Sequence, residues 1–500
     1  MLVFEFVLLL LLGGVALALI APRLRMPWPA LLALAGAGLA FVPGVPDIAL
    51  DPDLALALFV APVLLDSAYD ASLRDLRRNW APVGGLVLGA VGVTVAAVAA
   101  VAHWIDPALP WPAAIALGAI VAPPDAAAAA AVLRQVRLPH RIKVILEGES
   151  LLNDASALLT YRMGVSATIG GITAWTAPLL ALEAAAGLAL GVALAKAYLT
   201  VIARIEDEAV GTVLGFIGTF GVWLLADRLQ LSAVLTMVAF ALTLARSASE
   251  RVGARRRRGN YAVWEVAIFV VNVLAFMLVG LQLRGIVSRM DGHLGDAVIF
   301  ALGVTASAII VRFAWVMGFY VVMLRREPNS SVGGGLLIGW CGMRGIVTLA
   351  AALALPMAFP HRDLVVFASF SLVLGTLVVQ GLTLRPLLSV LALPADDSVE
   401  QEVSLGRAEL AQAALAALGD SPDEAADEAR YVLEQEYRAR ADRGKDPGSS
   451  ATGLPDLRRQ LLAAERRCLV ALRRDERIGD DAFHVLEEEL DWAEAEAGRP

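Results

Sequence analysis

Apolar runs separated by short polar breaks divide the first 395 residues. They fall near 3–20, 28–43, 53–67, 82–104, 112–134, 141–165, 176–203, 209–226, 231–246, 262–282, 296–323, 332–356 and 363–392. A helix needs about 20 apolar residues to cross a bilayer core of about 30 Å, and most of these runs approach that length. Beyond residue 395 the pattern changes to amphipathic helical periodicity in Leu405–Leu418, Glu424–Arg440, Leu457–Arg474 and Asp481–Ala497, with a flexible connection from Gly444 to Ser450. The pattern predicts an all-α polytopic membrane protein: a transmembrane domain over residues 1–395 with about thirteen transmembrane helices, then a helical tail over 396–500.

Loop charge orients the chain. Loops after odd-numbered runs hold eighteen Lys and Arg residues, among them Arg74, Arg77, Arg78, Arg141, Lys143 and Arg255–Arg258, against four after even-numbered runs. Basic loops stay cytoplasmic, so the N-terminus is expected outside and the tail in the cytoplasm. The Arg255–Arg258 cluster reads as a topology and lipid-surface signal. Two runs are interrupted. The fifth contains Pro123-Pro124-Asp125, where consecutive prolines remove backbone donors, and the twelfth carries Gly333-Gly334-Gly335 and Gly339 to Gly345. Matched interruptions mark a transporter's binding site, and an offset of seven segments makes the repeat inverted.

Composition agrees with the membrane reading: 58% of the 500 residues are hydrophobic, 18% are charged, and mean hydropathy is +0.68. The net charge of −8 is unevenly spread. The tail from Ala395 has 26 acidic and 14 basic residues, or −12, which leaves +4 for the membrane part. An acidic tail argues against nucleic acid as a partner. Two cysteines, Cys341 and Cys468, make no disulfide framework. The opening run lacks a basic leader and a small-residue cleavage pattern, so it reads as a first membrane helix.

The densest polar stretch inside an apolar run is Glu147-Gly148-Glu149-Ser150-Leu151-Leu152-Asn153-Asp154-Ala155. An ionisable group at mid-bilayer costs about 2.5–3.5 kcal/mol on insertion scales, so such groups mark ion or proton pathways. On a helix Ser150 and Asp154 share a face, offering a hydroxyl and a carboxylate to a small cation, and Glu149 and Asn153 share the next. Asp154 is the strongest candidate to alternate between a proton and a metal ion. Asp125 follows the proline break, where half-helix ends and free carbonyls hold cations. Asp66 ends an apolar run after Pro62. Glu265, Arg312 and Arg344 also lie inside runs, and Arg162 falls late enough in its run to snorkel. A buried arginine cannot deprotonate and must be paired or offset. Glu149 with Arg312 is the expected ion pair, leaving Arg344 to neutralise carbonyl or helix-end charge.

Gly148-Glu149-Ser150-Leu151-Leu152-Asn153-Asp154-Ala155 resembles the signature helix of the monovalent cation–proton antiporters, in their sodium/proton exchanger branch. Asp66 after Pro62, the Pro124-Asp125 break, Arg312-Phe313-Ala314-Trp315, Gly342-Met343-Arg344-Gly345 and Val379 to Pro386 match that branch in order. The resemblance implies a homodimer of thirteen-helix protomers, each with a dimerisation part and a mobile six-helix core, with ions bound where two discontinuous helices cross. It further implies that Asp154 is the main carrier and Asp125 a second Na⁺ ligand. Ser150 would add a hydroxyl, and Asp66 would act directly or through water. Asn153 would hold the crossing helices. Many members have threonine where this chain has Pro124, which removes a hydroxyl and leaves only carbonyls there.

The expected function is electroneutral exchange of Na⁺ (or Li⁺) for H⁺ across the cell membrane by alternating access. It is a transporter rather than an enzyme, and needs no cofactor beyond the transported ions. Its partners are the monovalent cation, the proton, membrane lipid and a second copy. K⁺/H⁺ exchange is the nearest alternative. A channel would need a continuous polar pore, and a tail-signalling receptor would need a recognisable signalling module. The pH response is expected to reside in residues 60–160 and to survive removal of the tail from about Ser398.

Overall fold

The computed structural model describes the chain except for residues 1, 25, 46–50, 126–137, 172–175, 206, 252–253, 291–293, 325–331, 392, 394–395, 397, 420–430, 432, 436, 438–453 and 498–500. Among the described residues its regular structure is helix, with no strand, and each apolar run carries a helix. These are α1 (Leu2–Leu24), α2 (Trp28–Leu39), α3 (Ala61–Asp70), α4 (Leu73–Arg78), α5 (Trp80–Ile105), α6 (Trp111–Val121), α7 (His140–Ile169), α8 (Thr176–Ile202), α9 (Glu208–Arg228), α10 (Ala233–Arg251), α11 (Ala254–Leu281), α12 (Leu283–Ser288), α13 (Leu294–Leu324), α14 (Val332–Trp340), α15 (Ile346–Leu353) and α16 (Arg362–Leu391). Pro52–Ala55 and a π-helical turn at Leu56–Val60 lead into α3 without a break, and α5 contains a second π stretch at Gly85–Ala90.

Seven of these helices are long and apolar enough to cross a membrane, and α2, α6 and part of α10 are shorter apolar helices. The others fall outside that measure for physical reasons. Helix α7 carries the polar stretch at Glu147–Asp154, and α14 and α15 are two halves of one interrupted run. The second half of the fifth run lies outside the described residues.

Packing divides the membrane helices into two groups. In one, α5, α6, α7, α13, α14, α15 and α16 pack on one another; in the other, α1, α2, α3, α8, α9, α10 and α11 do. The apolar contact of α2 with α11 is close enough to need glycine on both sides. A Cβ on Gly36 would meet the Met277 carbonyl oxygen at 2.2 Å, and one on Gly280 would meet the Ala33 oxygen at 2.3 Å. With no apolar driving force between helices in lipid, such backbone proximity is a main source of association.

The tail adds α17 (Ser398–Gly419), α18 (Leu454–Arg474) and α19 (Asp480–Ala497), matching three of the four expected runs; the fourth lies mostly outside the described residues. Their apolar faces share a core of Val403, Leu410, Leu469, Phe483 and Leu486. The tail docks on the loop ends of both membrane groups. Arg74 donates to Glu402 at 2.8 Å, Lys143 to Asp481 at 3.1 Å, and Arg473 to the Ala245 carbonyl at 3.4 Å.

Candidate ion-binding site

A cleft of about 550 Å³, its open mouth included, lies in the seam between the two groups. Its polar lining comes from Ser67 on α3, Asp125 after α6, Ser150 and Asp154 on α7, Asn272 on α11 and Thr348 on α15. Apolar residues such as Phe59, Val63 and Ile346 fill the rest of the wall.

The two interrupted segments meet at this cleft. Helix α6 ends at Val121, and α14 ends at Trp340, five non-helical residues before α15. Between the breaks the Asp125 N–H donates to the Met343 carbonyl at 2.7 Å. Asn153 Nδ2 donates to the Pro124 carbonyl at 3.1 Å, so α7 is tied to the first break beside its own Asp154. The approach is tight: a Cβ on Gly345 would lie 1.4 Å from Asp125 Oδ2, so only glycine allows the second break to reach the carboxylate.

Arg344 is fully buried at the same crossing. Its Nε donates to the Val121 carbonyl at 3.0 Å, its Nη2 to Ala122 at 3.3 Å, and its Nη1 to Gly342. The last carbonyls of a helix have no intrahelical partner and carry partial negative charge. Arg344 therefore places its guanidinium against the end of α6.

Helix α7 divides its polar residues by face. Ser150 and Asp154 line the cleft, while Glu149 lies away from it in a bidentate pair with Arg312 of α13, at 2.5 Å to Nη1 and 2.9 Å to Nη2. Arg312 Nη2 also donates to the Ile338 carbonyl at 3.3 Å. Both side chains are buried, at 1% and 2% exposure.

Of the residues singled out from sequence, the cleft brings together Asp125, Asp154, Ser150 and Pro124, with Asn153 behind them. Asp66 is half-buried on α3 and does not line the cleft, although its neighbour Ser67 does. Glu265 is exposed on α11, and Arg162 forms an ion pair with Glu183 of α8 at 3.5 Å. Ser67, Thr348 and Asn272 were not anticipated. Asn272 was legible as the one amide in the apolar run 263–281, but attention to charged residues passes over it.

Carboxylates and hydroxyls gathered where two interrupted helices cross, inside an apolar bundle, define an ion-coupled membrane transporter. The family model for the transmembrane sodium/hydrogen exchanger matches residues 7–390, and the chain belongs to that family. It is a multi-pass antiporter that exchanges a cation for a proton, and not an enzyme. An uncharacterised Na⁺/H⁺ exchanger of Mycobacterium tuberculosis is 32% identical over 95% of this chain and 92% of its own length. A sodium, potassium, lithium and rubidium/H⁺ antiporter of Bacillus pumilus is 29% identical over 83% of this chain and 65% of its own. The fold is similar to that of the sodium proton antiporter MjNhaP1 from Methanocaldococcus jannaschii. That match has a TM-score of 0.60 at 20% identity and covers 78% of this chain and 98% of that one.

Proposed function

We propose that this protein exchanges one Na⁺ or Li⁺ for one H⁺ by alternating access, with cation and proton competing for Asp154. The observation that carries the reading is the presence of Asp154, Asp125 and Ser150 in one cleft at the crossing of the two breaks. Asp154 holds the cation when ionised or the proton when neutral. Asp125 and Ser150 supply further oxygens, and Asp66 acts from one residue beyond the wall, directly or through water. Asn153 fixes the distance between α7 and the Pro124 carbonyl. An empty pair of carboxylates moves poorly, because uncompensated charge in a low-dielectric interior is costly, and that penalty couples the two fluxes.

Charge counting supports electroneutrality. Asn153 is neutral, Glu149 and Arg312 cancel, and Arg344 is engaged by carbonyl oxygens. No additional charged carrier travels with the ion, so a membrane voltage, worth about 2.3 kcal/mol per charge per 100 mV, has nothing to act on. The seven apolar spans and the broken runs assemble into thirteen transmembrane helices with inverted repeats over residues 1–395. The N-terminus is outside the cell membrane and the 396–500 tail is cytoplasmic. The active form is a homodimer, and no cofactor is required.

K⁺/H⁺ exchange is the second reading, favoured by the name of the Bacillus pumilus relative, which includes potassium. Proteoliposome exchange under a pH gradient with Na⁺, Li⁺ and K⁺ separates the two. Asp154→Asn is expected to abolish exchange, because an amide cannot alternate between cation and proton. Apparent Na⁺ affinity of the wild type is expected to weaken roughly tenfold per pH unit below the pKa of the site. Substantial Na⁺-dependent proton flux in Asp154→Asn, or an affinity flat with pH, would refute competition at this carboxylate.

A further inference from the structure

We infer that Asn272 is a ligand of the transported cation, reached from the opposite side of the seam. The inference rests on the Asp154 cleft being the exchange site. Asn272 sits on α11, in the group of helices that does not contain Asp154. Its neighbours in sequence are apolar: Val273 is buried against Gly14 of α1, and Phe276 is buried against Trp28 of α2. The amide instead lines the cleft opposite Asp154, Asp125 and Ser150.

The side chain is 6% exposed, and its Oδ1 has no hydrogen-bond partner. A buried carbonyl left without a donor costs about 1–3 kcal/mol, so an amide held here is destabilising unless a ligand satisfies it. A cation does so directly, since amide carbonyls are good ligands for hard cations, and rotation of the amide presents its oxygen to the cleft. The site needs neutral oxygens. Pro124 contributes no hydroxyl, and its carbonyl already accepts from Asn153. A neutral amide adds an oxygen without adding charge, which preserves one-for-one exchange.

The position of Asn272 has a mechanistic consequence. Asp125, Ser150 and Asp154 travel with the helices that carry them, whereas Asn272 belongs to the facing group. Its oxygen reaches the ion in the arrangement seen here and is withdrawn when the groups slide past each other. The cation is thus held by one more oxygen on one side of the cycle than on the other, and the proton, which needs only Asp154, is not.

The full-length protein in proteoliposomes, wild type and with Asn272→Leu, Asn272→Ser or Asn272→Asp, tests this with Na⁺, Li⁺ and K⁺. Loss of one oxygen ligand in Asn272→Leu is expected to raise the apparent KM for Na⁺ about tenfold, the equivalent of ~1.4 kcal/mol, with maximal rate nearly unchanged. Asn272→Ser, which keeps an oxygen, should fall between. Asn272→Asp keeps an oxygen and adds negative charge beside the ion, and should lower the apparent KM for Na⁺. An unchanged KM for all three cations in Asn272→Leu overturns the inference. If Asn272→Leu does not give a monodisperse protein, wild-type KM values for all three cations in both Asn272→Asp and Asn272→Ser overturn it instead. Asp154→Asn in the same preparation keeps the readings apart: exchange by that variant removes the site itself, whereas an inactive Asp154→Asn beside a silent Asn272→Leu removes only the role of Asn272.

Discussion

Replacing Glu149 by alanine should destabilise the protein far more than it weakens cation binding. The guanidinium of Arg312 is 2% exposed and donates two of its hydrogen bonds to the Glu149 carboxylate, at 2.5 and 2.9 Å. Without Glu149, the Ile338 carbonyl at 3.3 Å is left to answer a full positive charge, and Arg312 Nε already has no partner. Removing one member of a buried pair costs about 3–5 kcal/mol. With an unfolding entropy near 2.1 cal/mol/K per residue, the roughly 390 residues of the membrane part carry about 0.8 kcal/mol/K. The melting temperature should therefore fall by at least ~4 °C, and by more in detergent, where helices persist and the entropy change is smaller. Removing both charges, as Glu149→Leu with Arg312→Met, should recover much of the loss, because apolar replacements leave no charge uncompensated. Thermal unfolding of the purified variants, followed alongside the KM for Na⁺ in proteoliposomes, gives both numbers. An unchanged melting temperature with a collapsed Na⁺ affinity would make Glu149 an ion ligand and refute the pairing as its purpose.

Gly345→Ala should displace Asp125, since its Cβ would sit 1.4 Å from Oδ2, and should cut exchange at least tenfold. Gly375→Ala, whose Cβ would meet only Thr305 Cγ2 at 3.9 Å, is the matched control, and equal activity of the two variants would contradict the close approach. Arg344→Leu should leave the α6 carbonyls of Val121 and Ala122 without their donor, lowering both stability and exchange. A variant as stable and active as wild type would show that the end of α6 needs no offset.

How far the sequence discloses this arrangement depends on the range of the signal. Local patterns carried most of it: apolar runs placed the helices, and Pro123-Pro124 and the Gly339–Gly345 stretch placed the breaks. The spacing of Ser150 and Asp154 put both on the cleft face of α7. The Glu149–Arg312 pair was legible by a charge argument, because two buried charges 163 residues apart need each other. Contacts between neutral or exposed groups left no such trace. Nothing local in Gly36 or Gly280 announces that α2 and α11 touch at the backbone, and Asn272 carries no charge to draw attention. The basic loop residues Arg74 and Lys143 read as topology signals, yet they also anchor the acidic tail, in one case across 328 residues of sequence. Periodicity cannot report a pairing at that range.

That docking gives the tail its own pH dependence. His140 lies ahead of the membrane-spanning run of α7, with Nε2 3.2 Å from Asp75 and Nδ1 3.3 Å from Asp481 in an ionic contact rather than an aligned hydrogen bond. Asp396 accepts from its backbone N–H, Lys143 shares Asp481, and Arg74 stands beside Asp75. The Asp481 carboxylate first, and Asp75 second, raise His140 from 6.5 to about 10. Burial alone would raise Asp481, but His140 and Lys143 hold it down to about 2. Asp75 belongs to the membrane part and stays beside His140 when the tail leaves, so only the Asp481 share of the rise favours docking; that share is whole below about pH 6.5 and is lost as pH rises toward 10. A lowered carboxylate contributes fully above 3.8 and loses its effect as pH falls toward 2. Docking is therefore strongest between about pH 4 and 6.5 and weakens in alkali. The tail holds α7 through His140 and Lys143 and holds α10 through Ala245, so it bridges both groups, and under the proposed alternating access it would restrain their sliding. Asp154, fourteen residues along α7 from His140, lies about 21 Å from that anchor at 1.5 Å per residue, beyond direct electrostatic influence in salt. Release of the tail should raise the rate of exchange in alkali without changing the competition between Na⁺ and H⁺. Hydrogen exchange of residues 398–419 and 480–497, corrected for its intrinsic pH dependence, should show protection falling between pH 6.5 and 9.5 in the wild type and a flatter profile in His140→Ala. Equal protection at both pH values, or the same decline in His140→Ala, would exclude His140 as the switch. A tail-truncated protein whose KM for Na⁺ no longer varies with pH would move the competition itself into the tail.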